Sequence, residues 1–72
     1  MTGNEFNQWR SALKLSKVAA ARRLGVTPAT IRMWEAGERT DAGVTRDVHV
    51  PTAIGFACAA IWHRFPAWTN PN

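Results

Sequence analysis

The sequence predicts a small all-α domain built from four helices. Helix N-caps stand before three apolar-periodic segments, glycines follow two of these segments, and a proline opens a fourth. A chain of 72 residues has room for only one hydrophobic core. We expect one domain over residues 1–66, helices at about 3–14, 17–24, 28–36 and 51–64, and a loose tail over 67–72.

Helix 1 is predicted from a capping box followed by an apolar face. Thr2 and Glu5 have the spacing at which each side chain accepts a hydrogen bond from the other's backbone amide. Large apolar residues between Phe6 and Leu13 then recur at helical spacing. The first helix therefore starts just after Thr2.

Helices 2 and 3 are predicted from their end signals. Ser16 is the cap of helix 2, and Gly25 supplies the positive φ that commonly ends a helix. Thr27 caps helix 3, and Pro28 occupies its first position, where no backbone hydrogen bond is lost. Gly37 stops helix 3 in the same way as Gly25 stops helix 2.

The segment between helices 3 and 4 has no helical period. Val44, Val48 and Val50 lie at even spacing, which allows a short strand in this loop. Pro51 opens helix 4, and Pro66 is expected to end it, because the residue before a proline is pushed away from helical geometry.

Composition limits the classes of partner and site. Nine Lys and Arg against five Asp and Glu give a net charge of +4, which favours an anionic partner, either nucleic acid or an acidic membrane surface. The single Cys58 excludes an internal disulfide, and it makes no metal-ligand spacing with the two histidines. We expect a buried Cys58, no metal and no cofactor.

Several classes of protein are not expected. The longest apolar run, Ile54 to Trp62, is far shorter than the ~20 residues that span a bilayer. Residues 1–10 lack the features of a signal peptide, so we expect a cytoplasmic protein without a membrane role. No paired carboxylates, nucleophile with a base, or glycine-rich phosphate loop indicates an enzyme, and a small-molecule ligand is not expected either.

Helix 2, the turn at 25–27 and helix 3 together form a helix-turn-helix pattern. On a helical wheel, Ile31 and Trp34 fall on one face of helix 3, which suits packing on the other helices. The opposite face carries small residues around Arg32. Such a face can enter the major groove of DNA, and the open amino end beside Thr27 can present amides to a phosphate.

The motif also has specific residues at specific places: Ala21, Leu24-Gly25-Val26, Thr30-Ile31, Trp34-Glu35 and Gly37. Through these positions the chain resembles the lambda-repressor-like helix-turn-helix family, also called the xenobiotic-response-element family, over about residues 6–39. The resemblance implies a bacterial or phage repressor that binds a palindromic operator as a dimer. It also implies a structural ion pair between Arg10 and Glu35 that fixes helix 1 on helix 3.

From the face of helix 3 and the flanking cations we predict the residues that contact DNA. The bases are read by one arginine, two apolar side chains and a threonine: Ala29, Thr30, Arg32 and Met33. Phosphates are contacted at the start of helices 2 and 3 and after helix 3: Lys17, Thr27, Pro28 and Arg39.

Helix 4 and its end carry more large aromatic residues than a small monomer can cover. We expect Phe56, Trp62 and Phe65 to form the interface of a homodimer. The alternative is a protein-interaction module, such as an antitoxin-like accessory protein, in which the same aromatics bind a different protein.

Overall fold

The computed structural model of the chain describes residues 1–69 and contains four helices and one two-stranded antiparallel sheet. In chain order the elements are α1 (Gly3–Ala12), α2 (Lys17–Leu24), α3 (Pro28–Ala36), β1 (Glu38–Asp41), β2 (Val44–Asp47) and α4 (Thr52–Trp62). The small, mostly helical fold class is confirmed. Residues 67–69 of the predicted tail have no regular secondary structure, and the rest of that tail lies outside the described residues.

The starts of the first three helices follow their caps. The Thr2 hydroxyl accepts from the Glu5 amide at 3.1 Å, and the Glu5 carboxylate accepts from the Thr2 amide at 2.8 Å. Ser16 caps α2 with its hydroxyl. Gly25 and Gly37 both have positive φ, 72° and 74°, and end α2 and α3.

Two helices end earlier than the sequence predicts. α1 ends at Ala12 and α4 at Trp62, each two residues before its predicted end. The cause is a left-handed residue just beyond each helix, Lys14 with φ 55° and Arg64 with φ 61°. The amide that follows each of them donates back to the last turn, at 3.0 Å in α1 and 2.8 Å in α4. Pro66 therefore does not end α4.

The segment between α3 and α4 forms a two-stranded hairpin, whereas the sequence predicts at most one short strand there. Val44 is the first residue of β2, whereas Val48 and Val50 lie beyond it. The strands are joined by Ala42 and Gly43, whose φ values of 50° and 78° are those of a type I′ turn. Every strand residue is exposed, so the even spacing of the valines does not mark a buried strand face.

The core lies between the helices and contains only apolar side chains. Phe6 is at its centre, with ring centroids 5.4 Å from Trp9 and 5.5 Å from Trp34. The Trp9 indole N–H donates to the Cys58 carbonyl at 3.0 Å, which ties α1 to α4. The buried residues are Phe6, Trp9, Ala20, Ala21, Ile31, Trp34, Val50 and Cys58.

The first residue of α1 lies against the end of α3. A Cβ at Gly3 would overlap the backbone carbonyl oxygen of Trp34 and would lie 3.3 Å from that of Glu35. Glycine at this position therefore lets the two helices approach closely.

Candidate nucleic-acid interface

The turn between α2 and α3 is fixed by hydrogen bonds at both ends. After the left-handed Gly25, the Val26 amide donates back to the last turn of α2 at 3.0 Å. The Thr27 hydroxyl accepts from the Thr30 amide at 3.2 Å, and Pro28 occupies the first helical position. These local interactions hold α3 in a defined direction relative to α2.

α3 has one buried face and one exposed face. Ile31 and Trp34 are buried in the core. Ala29, Arg32 and Ala36 are exposed, so the guanidinium of Arg32 projects from a surface of small side chains. We call this surface of α3, with the half-buried Thr30 and Met33 at its edge, the reading face.

Part of the reading face forms a shallow groove with the start of the hairpin. Three residues of α3 predicted to read bases line this groove: Ala29, Thr30 and Met33. Glu38 and Arg39 of β1 form its other side. The fold thus brings three of the predicted base-reading residues next to Arg39, which was predicted to contact phosphate.

The predicted base-reading residues differ in how free they are to contact a ligand. Met33 is half-buried and packs against the core, and the Thr30 hydroxyl lies 3.0 Å from the Thr27 hydroxyl. Arg32 is exposed and takes part in neither salt bridge found within residues 1–69. Arg32 is therefore the side chain on the reading face with its hydrogen-bonding groups most available.

The predicted phosphate-contacting residues lie at the edges of the motif. Lys17 is the half-buried first residue of α2, and its charge contributes to lowering the pKa of the nearby Glu35 carboxyl. Thr27 is exposed, although its hydroxyl already caps α3. Arg39 is exposed on β1, with its guanidinium 4.0 Å from the Asp41 carboxylate.

The start of α3 offers fewer backbone donors than the sequence suggested. Pro28 has no amide hydrogen, and the amides of Thr30 and Ile31 donate to Thr27. Only the Ala29 amide in this first turn is left for a phosphate.

Arg10 and Glu35 form a bidentate ion pair between α1 and α3. Two guanidinium nitrogens donate to the two carboxylate oxygens at 2.9 Å each, and the third donates to the Leu15 carbonyl at 3.0 Å. Asn7 donates a further hydrogen bond to the same carboxylate at 2.6 Å. The side chains are 16% and 9% exposed. Chiefly through the hydrogen bonds from Arg10, this arrangement lowers the pKa of Glu35.

The structure places three polar residues near these sites that the sequence analysis does not predict there. Asn7 lies one helical turn before Arg10, and that spacing could have identified it. Glu38 and Arg46 reach their positions through the hairpin, whose register pairs Arg46 with Arg39. Neither follows from local sequence, because a register is known only once the turn is known.

The predicted interface aromatics are exposed in the single chain. Phe56 is 74%, Trp62 51% and Phe65 68% exposed. Phe65 also lines a groove with Trp68 and with Arg23 of α2. These side chains form an apolar surface at α4 and the segment after it.

Other sites are not found in the described part of the chain. Residues 1–69 contain no group of three His, Cys, Asp or Glu residues that could hold a metal ion. None of the four helices has the length and apolar character needed to cross a bilayer. Cys58 is buried, and burial raises the pKa of its thiol to about 11, so the thiol is protonated at neutral pH.

A protein-family model described as Helix-turn-helix matches residues 7–45, more than half of the chain. The matched segment contains the Arg10–Glu35 pair, α2, the turn, α3 and β1, and it stops inside β2. α4 and its aromatic surface lie outside the match. No curated protein and no solved structure matches the chain at a significant level.

Proposed function

The chain belongs to the lambda-repressor-like helix-turn-helix family of DNA-binding regulators, and from this premise we propose that it is a small transcriptional repressor of bacterial or phage type. It binds a palindromic operator as a homodimer, with α3 of each copy in the major groove. The observation that carries this proposal is the reading face, on which an exposed arginine stands among small side chains opposite a buried face.

Arg32 is the residue that reads sequence. Its guanidinium can make two hydrogen bonds to the O6 and N7 edge of guanine, whereas Ala29 and Met33 offer apolar contact to a thymine methyl group. Each half-site is therefore expected to contain a guanine next to at least one thymine. Two half-sites are expected about one helical turn apart, because a two-fold dimer presents its two copies of α3 on one side of the duplex.

Contacts to phosphates position α3 without reading the sequence. Arg39 borders the reading face and Lys17 is the first residue of α2, and these are the cations proposed for this role, with Thr27 and Pro28 at the start of α3. Their contribution depends on salt, because each neutralised phosphate releases counterions.

Selection of bound sites from random DNA tests the proposal. Arg32→Ala should bind the wild-type selected site about 1–3 kcal/mol more weakly and should lose the preference at one guanine. Binding to random DNA should fall much less, because the phosphate contacts remain. The matched control is Arg22→Ala, which removes an exposed arginine from α2 and should leave the base preference unchanged. An unchanged preference in Arg32→Ala would show that Arg32 does not read sequence.

A second function is favoured by one observation, the exposed aromatic surface of α4. In this alternative the chain is an antitoxin-like interaction module, and its aromatics bind a different protein. Gel-shift assays at low salt separate the two functions. A wild-type chain that shifts no DNA would favour the interaction module. Tighter binding to a selected site than to random DNA would support the repressor.

A further inference from the structure

The two arginines of the β1–β2 hairpin lie on the same face. The antiparallel register of the hairpin places Arg39 opposite Arg46 and Glu38 opposite Asp47. Residues directly opposite each other in a sheet lie on the same face. One face of the hairpin therefore carries Arg39 and Arg46, together with Asp41 two residues after Arg39. The other face carries the carboxylates of Glu38 and Asp47.

The arginine pair is only partly compensated within the described chain. Like charges directly opposite each other destabilise a strand pair. Of the two salt bridges found among residues 1–69, neither involves Arg46, and Arg39 has only the long 4.0 Å contact to the exposed Asp41. Two neighbouring guanidinium groups on an exposed surface are favourable when an anion lies between them.

The arginine face of the hairpin is continuous with the reading face. Arg39 lines the groove that it shares with Ala29 and Met33 of α3. Arg39 also lines a second concave surface, on the hairpin itself, together with Asp41, Val44 and Arg46. A duplex seated on α3 would therefore continue past Arg39 toward Arg46.

We propose that the hairpin is a second DNA-binding element, in which Arg39 and Arg46 together hold backbone phosphates beside the major groove occupied by α3. This inference rests on the proposed function, because it needs α3 seated in that groove. Glu38 and Asp47 lie on the opposite face, and Glu38 also lines the groove shared with α3. Asp41 lies beside Arg39 on the arginine face. The hairpin holds three acidic residues and two arginines, so its contribution must come from the arrangement of its charges rather than from their sum.

Arg46→Gln tests the proposal through salt dependence. Loss of one phosphate contact should make the slope of log K against log salt shallower by about 0.9, with a several-fold weaker affinity near 0.1 M salt. The thermal midpoint should be unchanged or higher, because the substitution removes the repulsion between the two arginines. A residue with only a structural role would instead weaken binding and folding together.

Asp47→Asn is the matched control on the opposite face. It changes the net charge by one unit, as Arg46→Gln does, but it should leave the salt slope unchanged. Hydroxyl-radical footprints give a second readout, in which Arg46→Gln should lose the outermost protected positions of each half-site while the positions contacted by α3 stay protected.

The outcomes separate this inference from the proposed function. A wild-type chain that binds no DNA would overturn both. If the wild type binds and Arg32→Ala loses its base preference, but Arg46→Gln keeps the full salt slope and footprint, only the role of the hairpin is overturned. Equal and opposite effects of Arg46→Gln and Asp47→Asn on affinity, with no change in slope, would also overturn it.

Discussion

The Glu35 carboxylate lies where α1, α3 and the start of α2 meet. Its pKa is lowered first by the hydrogen bonds from Arg10 and further by Asn7, while partial burial opposes this shift. A carboxyl whose folded pKa lies below its unfolded value stabilises the fold above the unfolded pKa, about 4.3 for Glu. That stabilisation is lost as pH falls through the folded pKa.

The free energy of unfolding should therefore decrease below about pH 5, and Glu35→Gln should remove part of this decrease. Urea denaturation at a series of pH values measures this free energy for the wild type and the variant. Glu5 also has a lowered pKa through its hydrogen bonds with Thr2, so Glu5→Gln is the control for an exposed carboxyl. Identical acid curves for wild type and Glu35→Gln would contradict the role given to the ion pair.

Gly3 provides a second test at the residue scale. Gly3→Ala should destabilise the fold by about 1–3 kcal/mol, because the added methyl group would overlap the Trp34 carbonyl at the α1–α3 contact. Helix propensity alone predicts the opposite sign.

Gly55→Ala is the matched control in α4, and both variants can be compared by urea denaturation. A Cβ at Gly55 would meet only the Met1 side chain, at an ordinary 3.7 Å, so this substitution should stabilise by up to about 1 kcal/mol. If Gly3→Ala also stabilised, the close approach of α1 and α3 would not be the reason for glycine.

At the scale of elements, the hairpin depends on an unfavourable turn residue. Ala42 adopts φ 50°, a left-handed conformation that costs about 1–2 kcal/mol in residues with a Cβ. Ala42→Asn should stabilise the hairpin by about 0.5–1 kcal/mol, because asparagine tolerates this conformation. Hydrogen exchange of the Arg46 amide, which the register places in a hydrogen-bonded pair with Arg39, should become slower.

Gly43→Ala should destabilise the hairpin and make the same exchange faster, because Gly43 has φ 78°, a conformation that is strained for alanine. An added Cβ would touch no other atom, so the effect would come from the backbone conformation alone. Faster exchange in Ala42→Asn would mean that the turn is not of type I′. The global thermal midpoint should change little in either variant, because the strands are exposed and contribute nothing to the core.

Helix ends could be predicted from the sequence where a residue type specifies the backbone conformation by itself. Starts of helices at Thr2, Ser16 and Thr27 follow from local capping chemistry, and a helix end at glycine follows from its access to positive φ. Lys14 and Arg64 adopt that conformation without being glycine, so the sequence predicts the ends of α1 and α4 two residues later than the structure has them.

The site divides in a similar way. The two faces of α3 follow from its 3.6-residue period, and burial of Ile31 and Trp34 agrees with that period. The pairing of Arg39 with Arg46 depends on the register of an Ala-Gly turn, which lacks the Asn-Gly or Asp-Gly signature of a hairpin. Contacts with DNA by these residues stay predictions.

At the scale of the whole molecule, the aromatic surface predicts assembly. The chain has a radius of gyration of 13.4 Å, larger than the ~11 Å typical of a compact domain of this length. An extended shape leaves side chains such as Phe56 and Trp62 uncovered, and a second copy would cover them.

Phe56→Asp should therefore yield monomers and bind the operator much more weakly, because a single motif makes too few contacts. Analytical ultracentrifugation at tens of micromolar, on the order of weak dimer affinities, measures the assembly state. Thr52→Asp, also on the exposed part of α4, is the control and should remain dimeric. A monomeric wild type at that concentration would rule out the homodimer.

The four tryptophans make the chain a source of two separate optical signals. Trp9 and Trp34 are enclosed in the core, whereas Trp62 and Trp68 are exposed at and after the end of α4. A water-soluble quencher such as iodide reaches only the exposed pair, so the quenchable emission reports whether that surface is covered. The unquenched emission reports the core. Intrinsic fluorescence can thus follow assembly and unfolding in one sample without an added label.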